Sequence, residues 1–284
     1  MRIDIFDEIK ALYKDKKNFS ISEKSDNIII HSKGNDSKLM ISVVDDNKNL
    51  IIRKVDKTRA EFDTTWEHGK NVLSNIIVYK NDEPIGVIRN ESDKDFIELY
   101  CENEIKIGDI ITLKTNNVCK SNILYTLNST TEIVREIAKK IIYINSEHVN
   151  DIYFTVSKTI RGALSVANYI KPDYVLSVYT AESDESFVKG NGCGIVLKDG
   201  NAVTEPELYN YILAVAKKKD IKYQTFIGKK NILVEQFGIV GTGAKAGGIC
   251  ISCSGCGGVL EAVDSNDIKN TANLIACIIE KGIN

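Results

Sequence analysis

The sequence predicts an α/β fold into which a small β module is inserted. Three observations carry this expectation. The middle of the chain is a series of short apolar or alternating runs with no helical pattern between them, helical and strand patterns alternate after it, and 284 residues leave room for one large domain or two modest ones. The module is accordingly placed at residues 56–121, and residues 1–55 and 122–284 together form the α/β domain.

The elements follow in chain order. Ile5, Phe6, Ile9, Leu12 and Tyr13 recur at helical spacing. Residues 27–32, 38–44 and 50–55 read as an antiparallel set, turned by Lys33-Gly34-Asn35-Asp36 and by residues 45–49. Within the module, 74–80, 85–89, 96–100 and 109–114 are short strands, with Trp66, Ile77, Val87, Ile97 and Ile111 as candidates for its interior or for an interface. Ser129-Thr130-Thr131-Glu132 has capping-box spacing ahead of Ile133, Val134, Ile137 and Ile141, which predicts a helix. A strand at 151–156 precedes a helix carrying Ile160, Ala163, Leu164, Ala167 and Ile170 and stopped by Pro172. Residues 174–178 read as a buried strand, Thr204-Glu205-Pro206-Glu207 as the cap of a helix through Ala216, and Ser265 or Asn266 as the cap of a last helix ended by Gly282.

Composition narrows the function. Hydrophobic residues at 43% and charged residues at 27% are ordinary for a globular chain. Lys plus Arg (37) nearly cancels Asp plus Glu (39), so nucleic acid is not expected as a partner. No run approaches the ~18 apolar residues of a membrane span, and 1–19 is studded with charge, which sets the expectation of a cytoplasmic protein with no membrane partner. The odd cysteine count, 7, suits reduced thiols.

Several constellations invite a chemical reading, and each has a plainer one. Cys250, Cys253 and Cys256 have spacing that an iron–sulfur cluster uses, but cysteine is also a small, readily buried residue, and in a strand Cys250 and Cys253 face opposite sides. The run from Gly241 to Ala246 matches part of a dinucleotide fingerprint, yet a glycine-rich, β-branched stretch follows where a helix must open. His31, His68 and His148, the last beside Glu147 and near Asp151, read as solvated residues rather than metal ligands. Asp45-Asp46 reads as a hairpin turn, and Ser157 and Lys158, adjacent in a strand, face apart. From the residues alone, no catalytic constellation emerges.

The run 26–46, Phe154-Thr155-Val156 with Arg161-Gly162-Ala163 and Lys171-Pro172-Asp173, and the stretch 263–268 entering the last helix together resemble the TET-type dinuclear metallo-aminopeptidases, peptidase family M forty-two. The resemblance runs through most of the chain in order. It implies a zinc-peptidase-like α/β domain with an inserted β-barrel-like domain, and self-association, since that family builds shells from dimers. It also implies a two-metal site made from a His-x-Asp motif, a bridging Asp, a Glu-Glu pair, a further Asp and a late His. In this sequence Val44 falls where the first His belongs, Asp46 keeps the orienting carboxylate, and Asn128 takes the bridging Asp position. Lys158-Thr159 replace the Glu-Glu pair, Tyr179 the next Asp, and Gly257 the late His.

These departures set the functional expectation. Two divalent cations need carboxylates and imidazoles to neutralise them and a base to activate their water. A lysine ammonium about 4 Å from such a cation costs roughly 4 kcal/mol per unit charge pair at an effective dielectric of about 20. The expectation is therefore a non-catalytic homologue with no cofactor: a structural or regulatory subunit that associates with itself or with an active paralogue, or a binder of a peptide or small ligand in the vestigial cleft. Two alternatives stand beside it. One is an active aminopeptidase holding zinc or cobalt through other ligands, the other an iron–sulfur or redox protein built on the three cysteines.

Overall fold

A computed structural model describes residues 4–45, 48–64, 76–81, 83–91, 94–100, 105–113, 117–144, 150–229, 242–256, 258 and 260–283. The chain divides into two compact units, the smaller made of Asn47–Asn128 and Gly255–Ala262, the larger of Arg2–Asp46, Ser129–Ser254 and Val263–Asn284.

In the larger unit the elements run α1 (Ile5–Tyr13), β1 (Ser20–Glu23), β2 (Asn27–Ser32) and β3 (Lys38–Val44) before the chain leaves for the smaller unit. That unit holds β4 (Asn49–Asp56), β5 (Arg59–Thr64), β6 (Ile77–Lys80), β7 (Glu83–Glu91), β8 (Lys94–Leu99), β9 (Ile110–Leu113), β10 (Val118–Lys120) and β11 (Ile123–Thr126). The chain then continues through α2 (Ser129–Ile141), β12 (Asp151–Ser157), α3 (Ile160–Ile170), β13 (Tyr174–Glu182), β14 (Cys193–Asp199) and β15 (Ala202–Val203). It ends with α4 (Pro206–Lys218), β16 (Tyr223–Gly228), β17 (Lys245–Ser254), β18 (Glu261–Asp264) and α5 (Ser265–Lys281).

The larger unit is built on a sheet in the order β1-β2-β12-β3-β13-β17. β12, β3, β13 and β17 run parallel to one another, while β1 and β2 continue the sheet antiparallel at one side. Parallel strands carry helices on both faces, and their sequences accordingly read as solid apolar runs. Leu39, Met40, Ile41 and Val43 of β3 are fully buried, as are Phe154 and Val156 of β12. α1 turns its apolar stripe of Ile5, Phe6, Ile9 and Tyr13 inward, and the Tyr13 hydroxyl donates to the carbonyl of Ala138 on α2 at 2.8 Å. α3 is capped by Thr159, whose hydroxyl accepts from Gly162 N–H at 3.0 Å, and ends at Lys171 in the left-handed region ahead of Pro172.

The smaller unit contains a closed antiparallel barrel of six strands, β4-β5-β8-β7-β6-β9. Its period-2 burial is plain in β4, where Leu50 and Ile52 are buried and Ile51 between them is exposed. Val78, Ile88, Ile97 and Ile111 fill the interior. Val87, also expected inside, is buried, and Ile77 is exposed; Trp66 lies outside the described residues. Gly86 is obligatory in β7, because a Cβ there would stand 2.4 Å from the carbonyl oxygen of Glu98 on β8.

Three expectations are corrected. The strands at 27–32, 38–44 and 50–55 are not one antiparallel set: β12 lies between β2 and β3, and β4 is a barrel strand pairing with β5 and β9. β2 and β3 are buried on both faces and need neighbours on both sides, whereas β4, buried on one face only, suits a barrel wall. The last helix is capped by Asp264, which accepts from Asn266 N–H at 2.8 Å, rather than by Ser265 or Asn266. Thr204 caps nothing, because its hydroxyl donates to Val196 O at 2.6 Å and α4 opens on Pro206 instead.

One buried charge yields a pH prediction. Asp267, in the first turn of α5, is fully buried and accepts the backbone N–H groups of Gly190 and Gly192 at 2.7 and 2.8 Å. Burial, with repulsion from Asp264, pushes its carboxyl up to about 6 although those N–H groups and Lys222 favour the charge. An acid whose folded pKa is raised gives stability that is present at low pH and declines as pH rises through the window from its ordinary value to about 6. The expected decline is about 3 kcal/mol between pH 4 and 6, flat above. Urea titrations across that window, with Asp267→Asn removing the slope and a carboxyl NMR titration placing the midpoint, check it.

Candidate functional site

Because β3, β12, β13 and β17 are parallel, their carboxyl ends lie along one edge, which is where open α/β sheets bind their ligands. Register brings the candidate positions of the larger unit to that edge. Val44 stands opposite Ser157, Val178 opposite Val43, and Tyr179 opposite Cys250, with Lys158 and Thr159 just beyond the end of β12.

Each of these side chains is engaged with the protein itself. Val44 packs against the apolar cluster of Ala163, Val166 and Met40. The Lys158 ammonium lies 3.6 Å from an Asp4 carboxylate oxygen and 4.8 Å from the centre of the Phe6 ring, turned to the start of α1. Thr159 spends its hydroxyl on the α3 cap. Tyr179 is buried with Phe187, Phe226 and Cys250, and its hydroxyl donates to Asp199 Oδ2 at 3.2 Å. Burial, reinforced by Cys250 and Asp199, pushes this phenol far above the usual tyrosine range. Asn128 belongs to the smaller unit, where its backbone N–H donates to the Thr126 hydroxyl at 3.3 Å. Asp46 and Gly257 lie outside the described residues.

Asp45 departs from the turn expected of it. It is buried, its N–H donates to Ser157 O at 2.8 Å, and its carboxylate accepts the Thr131 hydroxyl at 2.8 Å. His31 departs likewise from the solvated reading: it sits in β2, half-buried, with Nε2 2.7 Å from Asp151 and its ring stacked on Tyr153. His68, Glu147 and His148 lie outside the described residues, as does Gly241 of the glycine-rich run, whose remainder leads into strand β17. Cys250 and Cys253 are buried in β17, with Cys250 in the Tyr179 cluster and Cys253 donating to Ser254 O at 3.5 Å; Cys256 is half-buried in the smaller unit. Among the described residues no three His, Cys, Asp or Glu side chains gather as a metal ion requires.

Sequence reasoning missed the most deeply buried charge pair among the described residues of the smaller unit. Lys48, read as part of a polar turn, is 7% exposed, and its ammonium donates to Glu261 at 2.8 Å and to the carbonyls of Leu127 and Gly258. Glu261 is 5% exposed. The ammonium thus has three acceptors from two separated segments of one unit. The only trace in sequence is a lysine in a turn and a glutamate 213 residues away, which no local pattern connects.

A model of the family described as M42 glutamyl aminopeptidase matches residues 100–274. Among solved structures, the chain is similar to aminopeptidase APDkam598 from the archaeon Desulfurococcus kamchatkensis, with a TM-score of 0.86 at 20% identity over 97% of this chain and 89% of that one. It is also similar to a TET aminopeptidase from a marine-sediment archaeon of the Thaumarchaeota, with a TM-score of 0.84 at 18% identity over 96% and 90%. The TET1 peptidase of Pyrococcus horikoshii, which can assemble into a tetrahedron or a large octahedral shell, gives 0.82 at 16% over 98% and 93%. No curated protein sequence matches the chain.

Lys48→Met leaves the Glu261 carboxylate buried without its counter-charge and is expected to destabilise the chain by about 3–5 kcal/mol. Lys48→Met combined with Glu261→Gln should recover part of that loss. Denaturant midpoints of the two variants and the parent measure both, and equal midpoints for Lys48→Met and the parent would show that the pair contributes nothing.

Proposed function

The chain belongs to the M42 glutamyl aminopeptidase family, and from that membership we propose that it does not carry out two-metal peptide hydrolysis. It acts instead as a structural or regulatory subunit, or binds a peptide or small ligand at the carboxyl edge of its sheet. The observation that carries this reading is that the side chains standing where ligands are implied are spent on the protein itself. Valine offers no donor. Thr159 caps a helix, Lys158 is a cation, and Tyr179 is a neutral phenol committed to Asp199. Asn128 brings at most a neutral carbonyl oxygen. This donor set does not fit two divalent cations, and no step through a metal is derived from it.

Two arms test the reading. Protein purified without chelator should carry no stoichiometric zinc or cobalt, and should release no N-terminal residue from short peptides when either metal is supplied. About two metals per chain, with metal-dependent cleavage lost in Asp46→Ala, would establish the alternative, an active aminopeptidase with other ligands. Buried Asp45, adjoining Asp46, is the side chain that favours that second reading.

Self-association is the other part of the proposal, supported by the shells that the similar Pyrococcus horikoshii peptidase forms. Light scattering is expected to give a mass several times the 31.6 kDa chain. A monomer at micromolar concentration, with or without an active relative, would remove it.

A further inference from the structure

At the carboxyl edge of the larger unit, β13 and β17 end side by side, with Glu182 opposite Cys253. The next residue of each is a serine. The hydroxyls of Ser183 and Ser254 are 2.8 Å apart, and the Lys189 side-chain nitrogen, from the loop between β13 and β14, is hydrogen-bonded to Ser254 Oγ. All three residues are partly exposed.

The loop that delivers Lys189 is pinned on both sides. Before it, the Asp184 carboxylate accepts from the Ser186 and Phe187 N–H groups, both at 2.8 Å, and the Ser252 hydroxyl of β17 donates to Phe187 O at 3.0 Å. After it, Gly190 and Gly192 donate to Asp267. Gly192 has φ +92°, and a Cβ there would stand 2.1 Å from Lys222 O, so glycine alone permits this path. A hydroxyl in contact with a lysine nitrogen, steadied by a second hydroxyl and presented on a fixed scaffold where parallel sheets take their ligands, has the geometry of an activated nucleophile.

We propose that Ser254 is a nucleophile activated by Lys189, and that it takes acyl groups from small activated esters without a metal. This goes beyond the loss of two-metal hydrolysis and is independent of it. Ser254 gives its proton to the neutral Lys189 amine as Oγ bonds to the carbonyl carbon; the ester C–O bond then breaks, and the departing alcohol takes the proton from Lys189. Water attacks the acyl-serine, losing a proton to Lys189, which passes it to Ser254 Oγ as the carboxylic acid leaves. Ser183 is a positioning residue that holds Ser254 Oγ. The titratable groups on the segments that meet here are Glu182 on β13, Asp184 and Glu185 in the loop, Cys253 on β17, and Lys222, which donates to Gly190 O. The step requires the neutral amine, the form that alkaline pH favours, so the reaction is tested there.

The test treats the full chain at alkaline pH with a fluorophosphonate probe and locates the adduct by peptide mass spectrometry. One adduct is expected, on Ser254, formed with loss of fluoride. It should be absent in Ser254→Ala and slowed about tenfold or more in both Lys189→Met and Lys189→Arg, the latter keeping the charge but supplying no base. Hydrolysis of p-nitrophenyl acetate should fall in parallel and be indifferent to a chelator, whereas a chelator-sensitive peptidase activity would count against the metal-free reading alone. Circular dichroism establishes that each variant is folded, and Ser183→Ala supplies a second variant, expected to slow labelling without moving its site. No adduct on Ser254, an adduct on Ser183 in its place, or equal labelling of the parent and the folded Lys189→Arg chain would overturn the proposal.

Discussion

The structure of the larger unit depends on the parallel pairing of β12, β3, β13 and β17. A parallel pair cannot close through a hairpin, so each strand must be reached by a crossover, and helices come to cover both faces. Two consequences follow from that single constraint. The strands must be apolar along their whole length, and their carboxyl ends must collect on one edge with the loops that follow them. Val44, Lys158, Thr159, Tyr179, Ser183 and Ser254 are assembled there by register alone, whatever chemistry they carry.

At that edge, polar side chains have been turned toward the protein. An open ligand site requires groups whose lone pairs remain available, and such groups are held by their neighbours at a cost in stability. Here the direction is reversed. Tyr179 donates to a buried aspartate, Thr159 caps a helix, Lys158 rests on Asp4 and Phe6, and Asp45 accepts from Thr131. For buried Tyr179 and Asp45 the contact satisfies a group that would otherwise be desolvated without a partner, which is worth about 1–3 kcal/mol apiece. The edge has become part of the fold's own hydrogen bonding.

The α/β class, the barrel strands other than β5 and the long helices are legible in the sequence because periodicity reports burial, and burial is what these elements share. Strand neighbours are not legible in the same way. A strand buried on both faces, such as β2 or β3, has no pattern that selects its partner, so β12 could not be foreseen between them. The candidate positions were legible only through resemblance to a family; nothing in Val44 or Tyr179 taken alone marks a site. For the last helix the cap is read one or two residues late, since Asp, Ser and Asn adjoin at 264–266 and any of them can accept from the first turn. Lys48 with Glu261, and Lys189 with the two serines, were invisible because their partners come from segments far apart in the chain.

The same point bears on what family membership conveys. At 16–20% identity the chain has a TM-score of 0.82–0.86 with the similar structures, so the fold is shared across extensive sequence difference. A core tolerates exchange as long as volume and pattern persist, because its stabilisation is spread over many residues. A reaction centre has no such redundancy: exchanging a single carboxylate or base alters which ions and protons a site can hold. Function is therefore decided by the few side chains at the ends of these strands and by what they already contact, and the fold supplies only their positions. In this chain the Tyr179 phenol is closed off in an apolar cluster, whereas Ser183, Lys189 and Ser254 at the junction of β13 with β17 are partly open to solvent, as are Lys158 and Thr159.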